Sequence, residues 1–271
     1  MKEVLVCHSF DKLLSPHVRW LHEASKRGPV RVLLLTDEAA ERWEGKYPTY
    51  PLAEREYLVG AFRYVSTVEV CEPQTPDDWI RIFKERQPQA VIGHPQLRFP
   101  ELPDLCRIAG IRYEEPRPEE LKGFPEVPSG PVDPHRPKVI VTGCYDWLHS
   151  GHVRFFEEAA SYGNLYVAVG HDENVRALKG PGHPMFPQEE RRYMVAGIRY
   201  VTQALVTTGS GWLDAQPEIE QIRPDIYIVN EDGDRPEKRA YCEQHGIRYI
   251  VLQRKPKPGL PPRQSTVLRG F

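Results

Sequence analysis

The sequence predicts an α/β protein built as two tandem copies of one parallel sheet, each covered by helices on both faces. Three observations predict it: an internal repeat, an alternation of strand-like and helix-like segments within each copy, and a proline-dense segment between the copies. The repeat comes first, because it sets the frame for everything else. FDKLLSPHVRWLHEA from Phe10 lies over YDWLHSGHVRFFEEA from Tyr145, an offset of 135 residues. AEREYLVGAFRYVS from Ala53 lies over EERRYMVAGIRYVT from Glu189, PQAVIGH from Pro88 over PDIYIVN from Pro224, and LCRIAGIRYEE from Leu105 over YCEQHGIRYIV from Tyr241, all at 136. One net inserted residue over such a distance does not arise from shared composition.

Within each copy, short β-rich runs recur: VLVC, VRVLLL, AVIG and the IRY segment, then VIVT, LYVAV, IYIVN and YIVLQ. Amphipathic stretches such as HVRFFEEAASY, EERRYMVAGIRY and RPEKRAYCEQHG separate them. This alternation implies parallel strands joined by helices, with ligands bound at the carboxyl ends of strands where the strand order reverses. Between the copies, PRPEELKGFPEVPSGPVDPHRP carries seven prolines, cannot form helix and favours an extended connector. The expected organisation is a first domain over 1–115, a linker over 116–137 and a second domain over 138–271.

Composition narrows the function classes. The 271 residues suit two cores of ordinary size. No apolar run approaches the roughly 20 residues of a membrane helix, and MKEVLVCHSF reads as a first strand rather than a signal peptide. The expectation is a cytoplasmic protein with no membrane insertion. A net charge of −2 gives no reason to expect nucleic acid as partner. Cys7, Cys71, Cys106, Cys144 and Cys242 are scattered, odd in number and without a CxxC pair, which argues against a disulfide framework or a zinc site.

The chemistry concentrates in GCYDWLHSGH, from Gly143 to His152, directly after the run Val139-Ile140-Val141. With a helix starting near Ser150, His149 and His152 can face one point above the strand end. Helix N-termini carry unpaired N–H groups and favour phosphate, and Gly151 removes a Cβ where a ligand would press on backbone. Imidazole donors, free amides and a small residue describe a polyphosphate cradle, with both histidines stabilising charge that develops on oxygen. Two histidines at this spacing could also bind a metal, but no acidic or cysteine partner stands at ligand spacing.

GCYDWLHSGH, followed by LKGPGHPMFPQEERRYMVAGIRYV, resembles the cytidylyltransferase family that contains phosphoethanolamine, phosphocholine and glycerol-3-phosphate cytidylyltransferases. The resemblance covers 138–271 and, weakened, 1–115; it implies two Rossmann-like nucleotidyltransferase domains. Class I tRNA synthetases use a similar HxGH signature but need far longer chains and a KMSKS loop, which is absent here. Carried across by position, the resemblance implies that Thr142, Gly143, Cys144, Tyr145 and Asp146 sit beside the nucleotide. His149 and His152 would contact its phosphates, Lys179 would neutralise the α-phosphate, and Arg191 would lie near the substrate phosphate. The family's closing arginine and serine-threonine motif would correspond to Arg254, with Arg263 as rival, and to Ser265 and Thr266. Asn230, Glu231 and Asp232 follow a strand end and are candidates for a nucleotide or metal role.

The implied reaction is transfer of CMP from CTP to a small phosphorylated alcohol, a phospholipid-precursor type of substrate, with release of pyrophosphate. Mg2+ would accompany CTP, held by phosphate oxygens and water. Two alternatives stand beside it: an adenylyltransferase using ATP, and a nucleotide-binding regulator without turnover. KPKPGLPPR after Arg254 is longer than the family spacing, and Thr202 stands where the family has an aspartate. In the first copy Leu14 replaces His149, Pro16 replaces Gly151 and His8 replaces Gly143, so that copy is expected to be inactive. Because family members commonly dimerise, a homodimer or an intramolecular pseudo-dimer is a further expectation.

Overall fold

The computed structural model of the protein describes residues 2–268, without the side chains of Thr266 and Val267. It divides into two units, Met1–Gly123 and Phe124–Phe271. The first runs β1 (Val4–His8), α1 (Ser15–Ser25), β2 (Val30–Leu35), α2 (Asp37–Glu44), α3 (Leu52–Gly60), β3 (Val65–Cys71), α4 (Pro76–Arg86), β4 (Ala90–Ile92), α5 (Leu102–Ala109) and β5 (Tyr113–Glu114). The second runs β6 (Lys138–Gly143), α6 (Ser150–Tyr162), β7 (Asn164–Val169), α7 (Asp172–Lys179), α8 (Gln188–Ala196), β8 (Gln203–Val206), α9 (Gln216–Ile222), β9 (Ile226–Asn230), α10 (Pro236–Gln244), β10 (Arg248–Leu252) and α11 (Ser265–Leu268). Two 3-10 turns, Gly211–Leu213 and Glu231–Gly233, interrupt its loops.

Both sheets are parallel, with orders β3-β2-β1-β4-β5 and β10-β9-β6-β7-β8, which are the same order read from opposite edges. Register agrees as well: Leu5 pairs with Val91 in the first sheet, and Ile140 with Tyr227 in the second. The repeat extends to backbone that side chains resist. Phe10 and Tyr145 both adopt φ 52°, and Gln87 and Arg223 close their helices at φ 45° and 52°. β1 is buried along its whole length, as a central parallel strand must be. Leu5, Cys7 and Val91 face Trp79 and Phe83 of α4 and Leu102 and Cys106 of α5 in one apolar cluster. α1 contacts β1 and β2 without joining that cluster, so it covers the other face.

Each unit carries one more strand than the β-rich runs indicate. β3 and β8 lie at sheet edges, and β3 exposes Ser66, Thr67 and Val70, so it lacks the continuous apolar run that marks a central strand. The proline-dense stretch forms neither helix nor strand. Its first residues lie with the first unit, where Glu120 bridges Arg27, and from Phe124 it lies along the second. There Phe124 packs on Tyr193, and Gly130 N–H donates to the Thr202 carbonyl at 2.7 Å.

One interaction recurs in both units at matching positions. Arg191, 1% exposed, donates through Nε to the Phe186 carbonyl (2.9 Å), through Nη1 to the Cys144 carbonyl (2.6 Å) and through Nη2 to Asp172 (2.7 Å). Arg55, fully buried, does the same with the carbonyls of Tyr50, Ser9 and Leu35 and with Asp37. Each fork fastens the end of the unit's central strand to the start of the helix after the neighbouring strand, α2 or α7, and to the loop that leads into the arginine's own helix. A lysine offers a point charge and cannot span such a set. Arg55→Met and Arg191→Met are each expected to lower the unfolding free energy by roughly 3–5 kcal/mol, the scale of breaking a buried ion pair. Arg→Lys should recover only part of it. Denaturant unfolding of the full chain measures this, and unchanged midpoints would refute the clamp.

Candidate active site

Strand order reverses at β6 and β9, so the loops leaving their carboxyl ends diverge and leave a crevice between them. A cleft of about 490 Å³ opens there. Its walls include Thr142, Gly143, Cys144, Tyr145, Asp146, Gly151, His152, Lys179, Asn230, Asp232, Arg254 and Ser265, so most of the residues singled out in the sequence meet at one place. His149, Glu231 and Arg191 are not part of that wall, and the side chain of Thr266 lies outside the described residues.

The turn from β6 into α6 is shaped by close backbone approach. Tyr145 folds its ring under Gly143, where an added Cβ would sit 2.8 Å from the ring. The same ring meets His152 edge-on, with centroids 5.3 Å apart. His149 is the N-cap of α6: its Nδ1 accepts the Gly151 N–H at 3.1 Å. Neutral imidazole carries one proton, so this bond places it on Nε2, which is buried and has no partner among the described residues. The His149 and His152 rings stack, 3.9 Å apart and 20° from parallel, and Nδ1 of His152 also lacks a partner.

This corrects the expected cradle in two ways. His149 is fully buried beneath His152 rather than beside it in the cleft wall, and one amide of the helix N-terminus is already spent on its ring. Burial, reinforced by Arg254 and Arg263, lowers the His149 pKa to about 3. Burial also holds His152 well below its ordinary value, with His149, Arg254 and Lys179 pushing the same way. Both rings are therefore neutral near pH 7 and offer N–H dipoles, not charge.

The cations come from elsewhere. Lys179 ends α7 at the cleft, at the opposite end of that helix from the Asp172 that anchors Arg191. Arg254 reaches Asp232 (2.6 Å) and the Arg263 carbonyl (3.1 Å), tying the loop after β10 to the turn after β9. Ser265 donates to the Trp147 carbonyl at 3.3 Å. Arg191 is not available to a substrate phosphate, because its guanidinium is spent on the clamp described above. Asp146 is likewise engaged: its Oδ1 accepts the N–H groups of Met185 (2.7 Å) and Phe186 (3.1 Å), as Asp11 accepts that of Tyr50 in the first unit. Glu231 is exposed on the outside of its turn.

Sequence reasoning missed Lys238, which lines the cleft from α10 with 8% exposure, and Tyr227 beneath it. Nothing in RPEKRAYCEQHG separates that lysine from its charged neighbours. Only comparison with Leu102 at the matching position of the first copy could have flagged it. Among the described residues no group of three or more His, Cys, Asp or Glu is placed to hold a metal, and the cleft carboxylate of Asp232 is paired with Arg254.

In the first unit the same crest is filled. His8, Phe10, His17, Trp20 and His94 pack ring against ring at the ends of β1 and β4, all of them buried. Glu44 stands where Lys179 stands in the second unit and accepts hydrogen bonds from Ser9.

These histidines make stability depend on pH with a definite sign. His8, His17 and His149 have folded-state values of about 3 against an ordinary 6.5. Between those limits the unfolded chain binds more protons, so the stability present above pH 6.5 is lost as pH falls toward 3, by up to about 1.4 kcal/mol per pH unit for each histidine. His149→Asn keeps a capping side chain and cannot titrate, so its denaturation curve should lose one such share of the slope, whereas His149→Ala should also cost about 1 kcal/mol at pH 7.

The comparisons with known proteins agree with this geometry. Residues 140–255 match the model of a family described as cytidylyltransferase-like. The chain is 34% identical over 121 residues to FAD synthase of Aciduliprofundum boonei, a match that covers 44% of this chain and 78% of that protein. FAD synthase of Ferroglobus placidus is 34% identical over 123 residues, covering 44% and 77%. Bifunctional protein HldE of Azotobacter vinelandii is 33% identical over 148 residues, or 52% of this chain, but that match spans only 30% of its length. No helix among the described residues is long and apolar enough to cross a membrane. With an HxGH turn at the switch point of a parallel sheet and most of a compact relative aligned to it, the chain belongs to the cytidylyltransferase-like family of nucleotidyltransferases.

Proposed function

We propose that the second unit transfers a nucleotidyl group from a nucleoside triphosphate to a small phosphorylated alcohol, releasing pyrophosphate. The observation that carries this reading is the cleft at the β6/β9 switch point, where Lys179, Arg254, Ser265 and the His152 ring converge without any activated nucleophile among them. Such a set suits attack by the acceptor's own phosphate oxygen on the α-phosphorus, with pyrophosphate leaving in line. Catalysis of that kind rests on positioning and electrostatic stabilisation.

Each group has a definite task in this reading. Lys179 offsets charge on the α-phosphoryl oxygens, and the neutral His152 ring donates to an oxygen of the triphosphate as negative charge builds. His149 fixes the start of α6 and backs the His152 ring by stacking. Arg254 and Ser265 meet the outer phosphates, while Thr142 and Asn230 edge the nucleotide. Mg2+ would enter with the triphosphate.

Two nucleotides are supported by different observations. The KGP to QEER segment and the family description favour CTP. The relatives named FAD synthase, whose product is an adenine nucleotide, favour ATP. The first unit, with Glu44 for Lys179 and its crest filled by rings, is read as an inactive copy.

Pyrophosphate release is the discriminating measurement. The full chain, given each nucleoside triphosphate with Mg2+ and a panel of phosphoalcohols, should release pyrophosphate with one nucleotide well above the others. His152→Ala should lower kcat by about 10²–10³, the scale of one lost oxyanion donor. Release with no pair would leave a binding protein without turnover.

A further inference from the structure

The acceptor phosphate needs a cation, and Arg191 cannot supply it. The cleft holds three others. Lys179 ends α7, and Arg254 is bound to Asp232 and to a carbonyl. The third, Lys238, is 8% exposed, and no carboxylate lies within 4.0 Å of its Nζ among the described residues. Its hydrogen-bond partner is Thr142 Oγ1 at 3.4 Å, a long contact. Thr142 Oγ1 in turn meets Tyr227 OH at 2.8 Å, and Lys238 Nζ stands 5.7 Å from the Tyr227 ring centre. Asp214, whose charge favours the ammonium, is itself engaged by the Thr207 hydroxyl at 2.8 Å.

The chain contains its own control for this cluster. By sequence offset and strand register, Thr142, Tyr227 and Lys238 correspond to Cys7, Val91 and Leu102. Those three are fully buried and pack in one apolar cluster. The fold therefore closes well with hydrophobic side chains at all three places. A lysine buried without a carboxylate is costly, and burial lowers its pKa accordingly. The second unit carries that cost at its cleft, where among the described residues the ammonium has one long hydrogen bond, to Thr142, and no ion pair.

We infer that Lys238, held by Thr142 and Tyr227, is the residue that binds the phosphate of the acceptor and so selects phosphorylated over unphosphorylated alcohols. The inference rests on the nucleotidyl-transfer reading for the identity of that phosphate, but not for the existence of the anion site. An acceptor phosphate on Lys238 would lie at the β6/β9 end of the cleft, with Lys179 and Arg254 left for the triphosphate.

Binding and turnover test it separately. The full chain and Lys238→Leu, which copies the first unit, are titrated with inorganic phosphate and with the nucleoside triphosphates, following the thermal midpoint. Phosphate affinity should fall at least tenfold in the variant while triphosphate affinity changes less than twofold. In turnover, KM for the phosphorylated acceptor should rise tenfold or more with KM for the nucleotide unchanged, and Lys238→Arg should recover part of it. The thermal midpoint of ligand-free Lys238→Leu should equal or exceed that of the wild type, as a purely structural lysine would not allow. If Leu does not fold, Lys238→Gln replaces it. Equal phosphate affinity in wild type and variant would overturn the assignment. A wild type that releases no pyrophosphate but loses phosphate affinity on substitution would instead sink the transfer reading and keep the anion site.

Discussion

A buried guanidinium holds each unit's binding end in shape. Removing an arginine from water is affordable only when its donors are met, and here carbonyls and one carboxylate meet them in both copies. The carbonyls belong to segments that would otherwise diverge: the residue just past the central strand, and the loop that leads into the following helix. Because Arg55 and Arg191 make the same set, the clamp belongs to the frame of the fold and not to the chemistry of one copy. With the backbone fixed there, Asp146 can hold the Met185–Phe186 loop, and Lys179 is presented at a defined place above the strand end.

Against this shared frame, what differs between the copies is the lining. The frame positions agree to the level of positive φ at Phe10 and Tyr145, yet the side chains above them change character. Glycine gives way to histidine at position 8, lysine to glutamate at 44, and the Thr142, Tyr227, Lys238 floor to cysteine, valine and leucine. The first crest gains stacked rings and loses cationic donors; the second retains open space and spare donors. Two environments built on one backbone separate what folding requires from what a ligand requires, a distinction that a single copy would not permit.

The repeat, the parallel order and the place of the cleft were legible because they depend on periodicity and on strand–helix alternation, which a sequence displays directly. Edge strands β3 and β8 were less legible, since one is broken by Ser66, Thr67 and Glu69 and the other is only four residues long and begins on the exposed Gln203. Side-chain roles were legible only where a residue type has few uses in its setting. His152, Lys179 and Gly151 met at the cleft as their motif implies, but a histidine before a helix can be a cap or a ligand, and His149 caps. Arg191 reads as a phosphate partner until its three protein acceptors are seen, and Lys238 reads as solvated surface until its burial is seen. Both errors concern long, charged side chains whose direction the sequence does not encode.

The division of labour in the cleft follows from where charge is costly. Imidazoles pressed together at 3.9 Å under a cover of arginines cannot both be protonated, so the HxGH turn supplies neutral donors backed by a rigid helix start. Fixed dipoles of this sort strengthen in effect as negative charge grows on a reacting oxygen, without first having to be neutralised by a counter-ion. Cationic side chains stand apart from the histidines, with Lys179, Lys238 and Arg254 spaced around the cleft wall. A site that joined all its positive charge at the histidines would bind triphosphate tightly and hold the product as well. In the proposed reaction, cations at the walls and dipoles at the turn would stabilise the reacting oxygen chiefly when its charge has risen.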